Sequence, residues 1–217
     1  MIAEKQLSRK ERERLRHRRE ILDTALKLFS ERGFHNVSMQ EIAEESEFSV
    51  GTLYNFFKGK ESLFAALMGS CARRVSEILM PILDSNQEEE KKLSEFIRAH
   101  VDIIESNVEF IKLYISQYRM STSANPMLKD ISDLKTTVAT KLESLIKAGI
   151  QKQAFRRVHP EIVTLSLRAT LEAFGFESSE HFDKAKVQKG LLIIERFFMD
   201  TLLREKAGSD LKQSNLT

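Results

Sequence analysis

A chain of 217 residues with 41% hydrophobic content can bury one large core or two small ones. Three prolines and eight glycines among abundant Leu, Ile, Ala, Glu, Lys and Arg point to an all-α protein. The net charge of +2 announces no partner by itself, no apolar run approaches the ~20 residues of a membrane span, and the single Cys71 allows no intramolecular disulfide.

The N-terminus lacks the apolar segment of a signal peptide, so a cytoplasmic protein is expected. Helix 1 is predicted to start at Ser8, where Ser8 and Glu11 can form a capping box, and to end at Gly33. Ile21, Leu22, Ala25, Leu28 and Phe29 make its buried face. Before residue 20 only Leu15 is apolar, so the first turns are expected to project free. From Arg9 to Arg19 seven basic residues stand against two acids. Placed ahead of the two short helices of residues 38 to 61, this block reads as a footprint for phosphates, with Arg16, Arg18 and Arg19 nearest.

Residues 38 to 61 read as two short helices and a three-residue turn. Ser38 and Glu41 supply a second capping box, and Ile42 and Ala43 the buried side. Ser46, Glu47 and Phe48 make the turn. Ser49 caps the next helix, whose start (Val50, Gly51, Thr52) is small enough to enter a major groove closely. Leu53 and Phe56 are assigned to the core, leaving Tyr54 and Asn55 for phosphates and base edges. Val50 and Thr52 suit a thymine methyl, and Asn55 suits adenine or backbone. Ser38, Met39 and Gln40 place amides and small groups where a helix start holds phosphate. This is a helix-turn-helix.

A fourth helix is expected over 60 to 83, with Pro81 bending or finishing it. A polar loop from Asp84 leads to a fifth over 87 to 105, with the run Glu88 to Glu90 as a solvated face at its start rather than a metal site. A sixth covers 107 to 120. Asn125 caps a seventh that starts at Pro126 and reaches residue 150. Pro160 opens an eighth to residue 178, and Asp183 or Lys184 a ninth to residue 205. Apolar residues on more than one side of the last two suggest that they cover their own core and also meet another surface. Cys71 reads as a small buried hydrophobe.

In these residues the chain resembles the TetR family of ligand-responsive transcriptional regulators. The shared elements are Ile21-Leu22, Ala25, Leu28-Phe29, Gly33, Ser38, Ile42-Ala43, Ser49, Gly51 to Tyr54, Phe57, Lys60-Glu61 and Leu63. The family has Gly where Glu47 stands; a positive φ there costs Glu about 1 kcal/mol unless the turn is built differently. The segment 148 to 156 is also similar, with Gln153 where the family often has Gly.

The resemblance implies a DNA-binding domain over 1–60 and an effector-binding and dimerisation domain over 61–205, and the polar composition of the end of the chain predicts a disordered tail over 206–217. It implies Tyr54 and Lys60 on phosphates and Thr52 on phosphate or a base. It further implies a homodimer through the last two helices, for which Leu167, Leu171, Phe174, Leu191, Ile194 and Phe198 are the expected contacts. The expected partners are an inverted-repeat operator and a small effector, with helix 4 transmitting between them. Phe96, His100, Phe110, Tyr114, Tyr118, Met120 and Met127 are candidate pocket residues, and the Phe content leans to an apolar ligand. Arg168 is a candidate anchor for an anion, or a simple partner of Glu172. The expected action is repression relieved by the effector, with an activator or a co-repressor-dependent regulator as the alternative, since DNA binding does not encode promoter geometry.

Two other classes fit less well. An enzyme would need catalytic or metal spacing, and the five histidines show none; no catalytic residue, metal or cofactor is expected. A helical adaptor, or a membrane-surface protein using the basic helix, would leave Ser49 to Tyr54 and the caps unexplained.

Overall fold

The computed structural model describes residues 8–118 and 126–203. Ten α-helices lie among them: α1 (Arg9–Arg32), α2 (Met39–Glu45), α3 (Val50–Phe56), α4 (Lys60–Leu83), α5 (Glu89–Arg98), α6 (His100–Ser106), α7 (Val108–Tyr118), α8 (Lys129–Gln151), α9 (Pro160–Glu180) and α10 (Lys184–Leu202). Short 3-10 turns occupy Phe34–Asn36 and Pro126–Leu128. The all-α architecture is the expected one.

The caps explain most boundaries. Ser8 and Ser38 each form the reciprocal box with Glu11 and Glu41, and Ser49 accepts from the Thr52 amide at 3.1 Å. Gly33 ends α1 at φ 82, a conformation only glycine adopts without strain. Asp183 accepts from the Lys186 amide and starts α10, while Pro160 holds the first position of α9.

Four expectations need correction. The fifth helix divides at Ala99 into α5 and α6, where His100 Nδ1 approaches the Phe96 carbonyl at 2.8 Å and competes for an acceptor of the helical ladder. Pro126 opens a 3-10 turn, and α-helix begins only at Lys129; Asn125 lies outside the described residues. Glu89 is not solvated. It is buried and accepts from Lys152 Nζ at 2.8 Å, a bond that with the neighbouring lysines outweighs burial and holds its carboxyl below the usual range. The first turn of α1 is exposed as expected, but the helix does not stay free up to residue 20, since Arg14, His17 and Arg18 rest against the rings of Phe56, Phe48 and Phe57. The segment 206–217, expected to be disordered, lies outside the described residues.

Two apolar clusters carry the fold. The first joins α1, α2, α3 and the start of α4 around Ile21, Phe29, Phe34, Leu53, Phe64 and Met68, and it includes Phe110, Leu113 and Tyr114 of α7. Packing therefore runs across residue 60. Each fully buried Phe or Leu of this kind contributes on the order of 1.5–3 kcal/mol. The second cluster joins α5, α6, α8, α9 and α10 around Phe96, Leu142, Phe155, Leu167 and Leu202. The α9–α10 crossing is close at Gly190, where any Cβ would run into the Phe174 ring. Across the α5–α10 contact, buried Glu195 accepts from Arg98 Nε at 2.6 Å, Arg98 Nη2 at 2.8 Å and Ser94 Oγ at 2.6 Å.

Candidate functional site

The α2–α3 unit is held by backbone chemistry. The Phe48 amide donates to the Ala43 carbonyl at 3.0 Å and the Ser46 amide to Ile42 at 3.0 Å, closing α2. Glu47 takes φ 58 in this turn, so the chain keeps the left-handed conformation without the glycine that makes it cheap. Leu53 is fully buried and Phe57 nearly so; Phe56, expected in the core, is half-buried instead. Ser38, Gln40, Ser49, Gly51, Tyr54 and Asn55 are exposed, and Thr52 is half-buried with its hydroxyl 2.8 Å from Ser49 Oγ. Val50 is half-buried against the first cluster, and the Met39 side chain lies within it, so only the Met39 amide is left for a phosphate. No Arg or Lys stands on the exposed part of α3.

The basic helix lies along this unit. Arg14 stands 5.8 Å from the Phe56 ring centroid and Arg18 5.3 Å from that of Phe57, while His17 meets Phe48 at 5.0 Å. Burial, and then the charge of Arg73, lower the pKa of Arg18. Arg18 is thus partly committed to the fold, whereas Arg16 and Arg19 are exposed. Lys60, expected on phosphate, is held elsewhere. Its ammonium donates to the carbonyls of Phe34 and Val37 at 2.9 Å each and to His35 at 3.5 Å, so all three donors are used.

A second site is a cavity of about 210 Å³ between α4, α6, α7, α8 and α9. Cys71, Val75 and Leu79 of α4, Phe96, His100, Phe110 and Tyr114 line it, with Leu134, Lys135, Arg168, Glu172 and Phe176 from the other helices. Most polar groups here are paired. Asn107 Oδ1 accepts from Cys71 Sγ at 3.2 Å and from Arg74 Nη2 at 3.2 Å, and its Nδ2 donates to the Ile103 carbonyl at 2.7 Å. Burial pushes the Cys71 thiol up to about 12 against the influence of Arg74, so it is inert as a nucleophile. Lys135 donates to Glu172 at 2.6 Å and to Tyr114 Oη at 3.1 Å; these bonds outweigh its burial and raise its pKa.

With this geometry the comparisons become specific. Residues 21–67 match the family model described as bacterial regulatory proteins, tetR family, and residues 86–174 match that of the tetracyclin repressor-like C-terminal domain. The chain belongs to the TetR family. It is a DNA-binding transcriptional regulator. An uncharacterized HTH-type transcriptional regulator, YuxN of Bacillus subtilis (strain 168), is 42% identical over 59 residues, which span 27% of this chain and 19% of that protein. YhgD of the same organism, also an uncharacterized HTH-type transcriptional regulator, is 24% identical over 72% of this chain and 81% of its own length. The ketosteroid transcriptional regulator KstR2 of Mycobacterium tuberculosis shares the fold at a TM-score of 0.71, with 20% identity over 87% of this chain and 95% of that one. AibR, solved with isovaleryl coenzyme A and operator DNA, does so at 0.65, with 20% identity over 81% and 96%.

In this TetR-family chain Phe96, His100, Phe110, Tyr114 and Arg168 meet at the cavity. Met127 does not, packing against the first cluster; Met120 and the side chain of Tyr118 lie outside the described residues. Arg168 does not pair with Glu172, which Lys135 holds. Sequence reasoning missed Asn107 and Lys135. Asn107 carried a signal, a single polar residue with Ile103, Ile104, Phe110 and Ile111 at helical spacing around it.

The residues expected between subunits are also placed differently. Leu167, Leu171, Leu191 and Phe198 are buried in their own subunit's core, and Phe174 and Ile194 pack against it. The outward apolar residues of α9 and α10 are Ile162, Leu165, Leu192, Ile193 and Phe197, each more than half exposed. Periodicity showed two apolar sides on each helix, but which side the remaining core takes depends on the helices packed against it, α7 and α8 for α9, and α5 and α6 for α10. Among the described residues no helix is long and apolar enough to cross a membrane.

Proposed function

We propose that the chain is a homodimeric repressor that binds a short inverted repeat and is released when a small, largely apolar effector fills the cavity. The observation that carries this reading is shared membership: Cys71, Phe110 and Tyr114 line the cavity and also belong to the apolar cluster that seats α1, α2 and α3. A ligand that repositions α4 or α7 therefore acts on the packing that aims α3. It weakens DNA binding by its differential affinity for the two arrangements and no more. Helix α7 joins α4 as a route between the sites.

Dimerisation through the exposed apolar faces of α9 and α10 would set two α3 helices about one helical turn, ~34–36 Å, apart. Ser38, Gln40, Ser49, Gly51, Tyr54, Arg16 and Arg19 then meet phosphate, and Thr52 and Asn55 reach base edges. With no cation on exposed α3, readout leans on apolar contacts and DNA shape, and the basic helix supplies affinity. The ketosteroid in the name of KstR2 and the acyl group seen with AibR accord with an apolar cavity here. Action on DNA accords with a cytoplasmic location.

The test is selection from a random duplex library, with affinity then followed against salt. An enriched inverted repeat with a steep negative salt dependence is the expected result. No enrichment by the effector-free protein would overturn the repressor reading.

A further inference from the structure

Resting on the cavity as the effector site, the chemistry of its wall narrows the ligand. His100 Nδ1 lies 2.8 Å from the Phe96 carbonyl, which can only accept, so Nδ1 carries the ring proton. Burial, against the carbonyls of Phe96 and Ile97, pushes the His100 pKa down to about 4, and the ring is neutral. Nε2 is then a bare acceptor on the cavity wall, and no protein donor among the described residues meets it. The neighbouring acceptors are satisfied: Asn107 Oδ1 by Cys71 and Arg74, Glu172 by Lys135.

Charge gives the second constraint. Among the described residues the ionised groups on the cavity wall are Lys135, Glu172 and Arg168. Lys135 and Glu172 neutralise each other at 2.6 Å, and Arg168 forms no ion pair among the described residues. Among the described residues the wall carries one net positive charge, which suits a monoanion. Size gives the third. A dry cavity of ~150 Å³ takes benzene, so 210 Å³ holds one ring with a short chain, or a chain of comparable bulk.

We infer that the effector is a small hydroxylated carboxylic acid whose carboxylate meets Arg168 and whose hydroxyl donates to His100 Nε2. A site built to receive a hydroxyl rejects the analogue lacking it, because the buried acceptor is left unmet. The hydroxyl can sit on a ring or on a chain; the two share this chemistry.

The experiment is calorimetry on the full-length protein with two probe series, 4-phenylbutyrate against its ring-hydroxylated forms, and octanoate against its 3-, 5- and 8-hydroxy forms. In one series at least, a hydroxylated acid should bind about tenfold more tightly than its parent. His100→Phe, which keeps the ring volume, should abolish that preference, and His100→Gln should restore part of it. Arg168→Gln should weaken parent and hydroxylated acids alike and keep their ratio. The inference is overturned if no hydroxylated acid is preferred, if the preference survives His100→Phe, or if neither series binds. Operator release, read in parallel, separates this from the underlying proposal. Release by parent and hydroxylated acids alike would sink the inference and leave the effector site standing. His100-dependent binding without release would overturn the effector-site reading and leave standing only the assignment of a hydroxylated acid as the cavity's ligand.

Discussion

The Lys60 ammonium donates to the Phe34 carbonyl at 2.9 Å and stands 4.6 Å from the centroid of the same residue's ring. With the Val37 and His35 carbonyls it closes the 3-10 turn that joins α1 to α2, so this lysine holds the DNA-reading unit together. Lys60→Met leaves two part-buried carbonyls without a donor and should cost about 2 kcal/mol, by the usual worth of hydrogen bonds to charged groups. Urea unfolding would show the loss, while the slope of operator affinity against salt should stay unchanged. A slope reduced by about one counterion would return Lys60 to the phosphates.

Glu47 at φ 58 and Gln153 at φ 62 pay for left-handed backbone that glycine adopts freely. Glu47→Gly removes that strain but loosens the unfolded chain, so the net gain should be about 0.5–1 kcal/mol, and the same holds for Gln153→Gly. The two turns are far apart, and the gains should add within about 0.5 kcal/mol in the double variant. Thermal unfolding of the three proteins reads this directly. Destabilisation by Glu47→Gly would mean that its side chain contributes more than its backbone costs.

Local chemistry was legible in the sequence. Capping boxes at Ser8 and Ser38 and the stop at Gly33 each depend on residues within a few positions, while the positive φ at Glu47 was one of two turn geometries that the family resemblance left open. What was not legible depends on contacts between distant segments. Lys60 finds its acceptors some 25 residues away, at Phe34, His35 and Val37. Glu89 finds Lys152, and Glu172 is taken by Lys135 rather than by Arg168 one turn away. An amphipathic pattern says that a helix has an apolar side, and only the packed neighbours decide what covers it. Phe56 and Met39 therefore sit in surroundings other than the expected ones, although their helices lie where the caps predict.

Glu195 ties α10 to α5 and makes stability depend on pH. Burial alone would raise its pKa, but the hydrogen bonds from Arg98 and Ser94 and the charge of Arg98 outweigh it and hold the carboxyl below the usual range. A depressed folded value means stabilisation fully present above the ordinary carboxylate pKa near ~4.3, and lost as pH falls through the lower folded value. Wild type should therefore exceed Glu195→Gln in stability at pH 7, with the gap closing below about pH 4. Arg98→Ala leaves a buried carboxylate without its cation and should cost about 2 kcal/mol at pH 7. Guanidinium melts at both pH values check this, and a gap that does not change with pH would leave the ion pair without that role.

On α10, Phe197 is 66% exposed and its sequence neighbour Phe198 only 4%. The two rings meet edge to face with centroids 5.3 Å apart, one outside the subunit's core and one within it, and the proposed dimer assigns them opposite fates. Phe197→Glu or Ile193→Glu places a charge where a partner's apolar surface would cover it. Either should yield a folded monomer at micromolar concentration, with helical content unchanged and affinity for the inverted repeat lowered by at least tenfold. Leu191→Glu and Phe198→Glu bury a charge within the subunit and should unfold the C-terminal helices instead, since a core charge costs several kcal/mol. Sedimentation equilibrium and circular dichroism distinguish the two outcomes. A Phe197→Glu protein that stays dimeric would move the interface away from α9 and α10, and the exposed Ile162, Leu165 and Leu192 would then need another covering surface.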